Sequence, residues 1–310
     1  MFESIHRHYV SVAAQLRRGA ATISKEIPQN HVVLLVTGLN AATAEALGYV
    51  RSFRPADFHA IFPAADGVPP GFKADWAEFA RGGPELEIVP ARRGQLLEAI
   101  HGYLRSIPRG DQDFATVVVP ELIGSSLSLY LLGKRELVRL KAGLLREPNV
   151  VVTDVPVVVS GERVVGVDGK PLIPTRTEAL VFISAVHDPA IRAVNYARTL
   201  QAAETRGIHF ALDPERTSTI VEEWARLGLP IPLEVVEAPF RDLSAPMLRE
   251  VRRVTAHPDT VAAVIVPEFV VPKWRHLLLH NQNALFVKRL LLFEPRVILS
   301  AVPFILGRKP

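Results

Sequence analysis

Two hydrophobic periods alternate along this chain. Short runs rich in Val, Ile and Leu at 32–37, 57–62, 85–89, 115–120 and 149–155 read as strands. Between them, near 41–53, 72–81, 92–107 and 126–146, apolar residues recur at helical spacing. The pattern then begins again, with strands at 179–185, 207–212, 232–237, 261–267 and 296–302 and helices near 189–205, 215–227, 240–255 and 273–293. Strands alternating with helices imply βαβ units, right-handed crossovers and parallel pairing.

The two series are one sequence written twice. A shift of 147 residues carries Val117-Val118-Val119-Pro120-Glu121 onto Val264-Ile265-Val266-Pro267-Glu268. It holds without a gap through Leu131-Leu132 on Leu278-Leu279, Lys141 on Lys288, Glu147-Pro148 on Glu294-Pro295 and Val155-Pro156 on Val302-Pro303. Upstream, Thr37-Gly38-Leu39-Asn40 falls on Ser184-Ala185-Val186-His187, Tyr49 on Tyr196 and Leu86-Glu87 on Leu233-Glu234, while Trp76 and Trp224 match after a one-residue slip. A repeat of this length is a whole folding unit. The expected fold is α/β: two tandem doubly wound parallel five-stranded sheets about a pseudo-two-fold axis, each with a ligand crevice at the carboxyl ends of its first and fourth strands. The expected divisions are a helical arm over 1–25, a first unit over 26–156, a hairpin and Pro-containing linker over 157–175, and a second unit over 176–310. One continuous sheet, or unrelated topologies on either side of residue 170, would leave the functional expectation built on this plan without footing.

Composition narrows the classes. The chain has 310 residues, 48% apolar and 22% charged, and its mean hydropathy of +0.19 suits strands buried on both faces. The richest apolar run, Leu290 to Leu306, is broken by Glu294, Pro295 and Arg296, so no membrane span is expected, and the first residues lack the apolar core of a signal peptide. The absence of cysteine excludes disulfides, thiol nucleophiles and thiolate metal sites, and fits a cytoplasmic setting. A net charge of +4 is too mild to imply a nucleic-acid polymer.

Candidate chemistry gathers at the expected crevices. Thr37, Gly38 and Asn40 follow the first strand of one copy; Ser184, His187 and Asp188 follow that of the other. Gly124-Ser125-Ser126 sits where a strand hands over to a helix, a place for an anion or a plain helix cap. His187-Asp188-Pro189 reads as a base–carboxylate pair or a routine helix start. Glu121 and Glu268 close the fourth strands, where a repeated carboxylate more often holds a structural partner than performs catalysis. Lys141, Lys288, Arg105 and Arg252 read as outer-face charges, and Trp76, Trp224 and Trp274 as packing residues. His276 and His280 share a helix face, but no third ligand accompanies them, so no metal is expected. With no Gly-x-Ser-x-Gly elbow, Walker loop or Gly-x-Gly-x-x-Gly fingerprint, no enzyme is expected.

A tandem five-stranded βα unit resembles the universal stress proteins. Ile5-His6-Arg7-His8-Tyr9, Val266-Pro267-Glu268-Phe269, His280-Asn281-Gln282 and the twin strand–proline endings resemble, over nearly the whole chain, the cytoplasmic C-terminal region of bacterial amino-acid permeases of the amino acid–polyamine–organocation superfamily. The resemblance implies that residues 1–25, with His6, Arg7, His8, Arg17 and Arg18, lead from a last membrane helix along the inner face of the plasma membrane. It further implies a non-catalytic regulatory or assembly module beneath an amino-acid or cation transporter, partnered by the transmembrane portion and by a second copy. Related potassium transporters carry tails that respond to cyclic di-AMP, so ATP, AMP or cyclic di-AMP is the ligand implied. The stress-protein pattern Gly-x2-Gly-x9-Gly-[Ser/Thr] is reduced here to Gly124-Ser125-Ser126 in one copy, and the other has Val271-Pro272-Lys273 without glycine. A free-standing ATP-binding stress protein is the alternative, and a purely assembling module with vestigial sites is the third reading.

Overall fold

The computed structural model describes residues 23–53, 55–92, 94–123, 135–158, 175–238, 242–270 and 282–305. The N-terminal arm through residue 22, most of the expected hairpin and linker, Gly124-Ser125-Ser126, Trp274, His276 and His280 lie outside these residues. The first half runs β1 (Asn30–Leu35), α1 (Ala41–Arg51), β2 (Asp57–Ala64), α2 (Phe72–Phe79), β3 (Leu86–Pro90), α3 (Leu96–Ser106), β4 (Phe114–Ile123), α4 (Arg135–Leu144) and β5 (Val150–Val158). The second runs β6 (Arg176–Ile183), α5 (Asp188–Thr199), β7 (Glu204–Ala211), α6 (Pro214–Leu227), β8 (Leu233–Glu237), α7 (Ser244–Thr255), β9 (Thr260–Val270), α8 (Gln282–Leu291) and β10 (Val297–Ile305). Local chemistry sets the helix ends. The Asp213 carboxylate caps α6 ahead of Pro214, and Gly228 closes that helix at φ 59°, where a side chain would be strained.

The sheet corrects the expectation of two separate sheets. All ten strands form one, in the order β3-β2-β1-β4-β5-β10-β9-β6-β7-β8. Each half keeps the same internal order and parallel pairing, so the repeat is structural as well as sequential. The join is the antiparallel pair β5–β10, in which Thr153 faces Ser300. Apolar runs such as 297–302 are equally suited to a buried edge and a central strand, which is why the pattern alone did not reveal the join. A smaller difference falls at 204–205, read as the end of a helix but forming the start of β7, where Glu204 pairs with Glu178 of β6 and Arg206 reaches Glu234 of β8.

A pseudo-two-fold axis passes through the join. Ser300 stands 147 residues after Thr153, so each hydroxyl meets its own repeat, at 2.8 Å and fully buried. Tyr49 and Tyr196, another repeat pair, are also fully buried close by. The Thr116 hydroxyl lies 2.7 Å from Asn30 Oδ1 and 3.3 Å from the Tyr196 hydroxyl. Burial pushes both phenols above the ordinary tyrosine range. Across the halves, Phe114 meets Tyr196 edge-on at 5.4 Å, and Arg192 of α5 reaches Asn149 while its guanidinium lies 5.5 Å over the Phe114 ring.

The two faces of the sheet differ. On the face of α1, α2, α5 and α6 one apolar core runs through both halves, with Trp76 and Trp224 inside it. As expected, both indoles are packing residues, donating to Pro84 O at 2.9 Å and Ile231 O at 3.1 Å. On the opposite face the core is divided, one part beneath α3 and α4 and the other beneath α7 and α8.

At the amino ends of the outer strands the halves solve one problem with different chemistry. In the second, Arg206 bridges Glu178 (3.5 Å), Glu204 (3.0 Å) and Glu234 (2.6 Å). In the first, His59 stands at the position of Arg206, 3.4 Å from Asp57 and 2.9 Å from Glu87. His31 of β1 contacts Asp57 at 3.0 Å, and Tyr103 of α3 donates to Glu87 at 2.6 Å. Partial burial lowers the His59 pKa, but Glu87 and Asp57 outweigh it and the net direction is upward.

Two outcomes follow from this architecture. Because both halves share one sheet and one continuous core, calorimetry of the intact chain should show a single unfolding transition. Tyr196→Ala should lower the whole transition by roughly 3–5 kcal/mol, as for other large buried aromatics; two separately shifting peaks would contradict the shared core. Protonated His59 favours the folded state, so its contribution is present below the ordinary histidine pKa and is lost as pH rises through the elevated folded value. His59→Arg should remove this loss, and its melting temperature relative to the parent should climb between about pH 6 and pH 8.

Candidate functional site

The loops after β1 and β6 are built as helix starts. Asn40 Oδ1 accepts from the amides of Ala42 (3.0 Å) and Thr43 (3.2 Å), the Thr43 hydroxyl donates to Gly38 O at 2.6 Å, and Thr37 is exposed. In the second half His187 caps α5, its Nδ1 accepting from the Ala190 amide at 3.3 Å. Burial holds its pKa below the ordinary histidine value, so the ring is neutral at pH 7 with its proton on Nε2. Asp188 is buried in the first turn of α5, followed by Pro189, and Ser184 O accepts from Arg216 Nη2 at 3.2 Å. The structure thus gives several of these βα-turn residues backbone-holding duties.

Beside His187, at the carboxyl ends of β6, β7 and β9, a cavity of about 270 Å³ opens. Phe182, Phe210, Phe269, Phe286, Leu243 and Met247 supply apolar walls, and His187, His209, Asp213, Arg216 and Thr217 the polar ones. Phe182 and Phe210 meet edge-on at 5.2 Å, and His187 meets Phe269 the same way at 5.7 Å. His209 is tied at both ring nitrogens, to Ile183 O (2.9 Å) and Thr217 Oγ1 (3.1 Å). Sequence reasoning missed these phenylalanines. The signal was in the repeat: the same shift places Leu35, Pro63, Leu122 and Arg139 opposite Phe182, Phe210, Phe269 and Phe286, so the aromatic lining is private to one copy.

Glu121 and Glu268 do not face these loops. They turn onto the divided face near the axis, each with the lysine of its own repeat: Lys141 contacts Glu121 and lies 2.9 Å from Asp154, and Lys288 Nζ is 2.6 Å from Glu268. Lys141 and Lys288 are thus inward partners, correcting their reading as outer-face charges. A lysine 20 residues after a strand glutamate gives no one-dimensional hint of direction, and only the helix's seating decides it. Burial lowers both lysines; Glu268 and Asp154 more than offset it at Lys288, whereas Lys141 stays below the ordinary range, Lys288 adding to the effect. The cluster breaks the symmetry once, since Ala301 stands where the first half has Asp154. Arg105 and Arg252 do lie outside, pairing with Glu147 at 2.7 Å and Glu294 at 2.6 Å.

Two comparisons with known proteins bear on this arrangement. The family described as the KimA potassium transporter C-terminal domain matches residues 29–157 and 175–304, one stretch in each half and most of the chain together. The chain belongs to this family. A relative of the KimA C-terminal domain, the potassium transporter KimA of Bacillus subtilis (strain 168), is 23% identical over 147 residues, which are 46% of this chain and 24% of the relative. The chain thus aligns with about a quarter of that transporter. Among the described residues of this chain, no helix is long and apolar enough to cross a membrane, and no cluster of metal-ligating side chains forms.

The central cluster yields an outcome of its own. Removing one partner of a buried ion pair strands the other, so Lys141→Met should destabilise by about 3–5 kcal/mol in denaturant unfolding. Adding Glu121→Gln and Asp154→Ala, the latter importing the residue of the second half, should recover much of that loss.

Proposed function

We propose that this chain is a non-catalytic regulatory and assembly module at the cytoplasmic face of a KimA-like potassium transporter. Membership of the KimA C-terminal domain family across both halves carries the proposal. The cargo in this reading is potassium, as in the relative's name, which takes the cation rather than the amino-acid branch of the sequence expectation. The single sheet removes the premise of two independent units. What remains of it is the equivalence of the halves, and the functional reading rests on that equivalence together with the family. A non-catalytic role is supported by the commitments of the candidate groups: Asn40 Oδ1 and His187 Nδ1 hold helix amides at the βα turns, and Glu121 and Glu268, away from those turns, hold lysines.

The module in this reading pairs with the transmembrane portion and with a second copy, and responds to an adenine nucleotide, cyclic di-AMP being the specific form. Calorimetric titration of the intact chain with cyclic di-AMP and with ATP tests this. Saturable cyclic di-AMP binding, with ATP failing to displace it, is the expected result. Micromolar ATP binding lost in Gly124→Val or Ser125→Ala would instead favour the free-standing stress-type protein. A chain that dimerises while no nucleotide shifts its melting temperature would leave assembly as the sole role.

A further inference from the structure

We propose that the cavity at the carboxyl ends of β6, β7 and β9 binds a small amphipathic monoanion, an aromatic or medium-length aliphatic carboxylate. This goes beyond the nucleotide reading and does not depend on it. The body of such a ligand lies among Phe182, Phe210, Phe269 and Met247, and its carboxylate meets Arg216 and His187.

Size, polarity and charge each restrict the occupant. At about 270 Å³ the cavity falls near the lower end of ordinary ligand pockets, roughly 300–1,000 Å³, which suits one or two rings and not a dinucleotide. Its mouth carries Leu212 and Phe286, 41% and 39% exposed, apolar surface that a bound hydrocarbon body would cover. Two side-chain donors line the cavity, His187 and Arg216, beside the Asp213 carboxylate. Neutral His187 carries its proton on Nε2, because Nδ1 accepts from Ala190, and the exposed Arg216 guanidinium uses Nη2 on Ser184 O. The site is poorly suited to a phosphate chain, because Asp213, whose carboxylate accepts from the Arg216 amide at 3.0 Å, offsets part of the positive charge. With that offset, the site has room for a single carboxylate rather than several negative charges, met by the guanidinium hydrogens that Ser184 O leaves free. The first half has Leu35, Pro63, Leu122 and Arg139 in place of the four phenylalanines, so the site arose in one copy against a shared plan.

Calorimetric and thermal-shift titrations of the intact chain with 3-phenylpropionate, 2-naphthoate and octanoate, each beside its neutral amide, test the assignment. The carboxylates should bind at submillimolar concentration and raise the melting temperature, and the amides should bind about tenfold more weakly. Arg216→Gln should erase the preference for carboxylate over amide. Phe286→Ala, at an exposed position that folding tolerates, should weaken all the carboxylates several-fold. No carboxylate binding at millimolar concentration, an unchanged preference in Arg216→Gln, or displacement of 2-naphthoate by ATP or cyclic di-AMP would each overturn the assignment. Loss of cyclic di-AMP binding elsewhere on the chain would overturn only the nucleotide reading.

Discussion

The antiparallel pairing of β5 with β10 is the constraint on which the rest of the molecule depends. Each half is a parallel sheet that would otherwise end in an open strand, with a row of amides and carbonyls needing partners. Two such edges related by a two-fold rotation can meet only antiparallel. The residues at their crossing must then tolerate their own repeat as neighbour. Thr153 opposite Ser300 meets that demand with one short polar contact, and Tyr49 and Tyr196 fill the space above it. From this join follow the core shared by both halves on one face and the ion cluster that divides the core on the other.

What the sequence disclosed and what it withheld divide along a physical line. Strand and helix positions were legible because buried parallel strands and amphipathic helices have distinct periods, and the repeat was legible because Val-Pro-Glu and Glu-Pro recur at one shift. The join was not, since a strand apolar on both faces looks alike at an edge and in the interior. Asn40, His187 and Asp188 were recognisable as residues of a βα turn, yet whether their side chains serve a ligand or the helix depends on a rotation of the chain that composition does not encode. The inward turn of Lys141 and Lys288 depends likewise on the packing of α4 and α8.

The halves share a plan and differ in chemistry. Arg206 and His59 occupy one position, a permanent charge in one copy and a titratable one in the other. Asp154 faces the cluster where Ala301 leaves only a methyl group, so the second half has the simpler ion pair. Duplication inside a single sheet permits this division, because the common core and join carry stability while the strand ends are free to diverge.

The outermost strands bear on how copies of the chain can meet. β3 and β8 are only five residues long and carry Glu87 and Glu234; β3 ends on Pro90, and Pro232 precedes β8. Short, charged, proline-bounded borders are poor templates for adding another strand. With its inner borders already consumed by the join, the described sheet offers only these two discouraging edges for extension. Among the described residues, the surfaces left for association are helices and loops, where side chains rather than a ladder of amides and carbonyls set specificity.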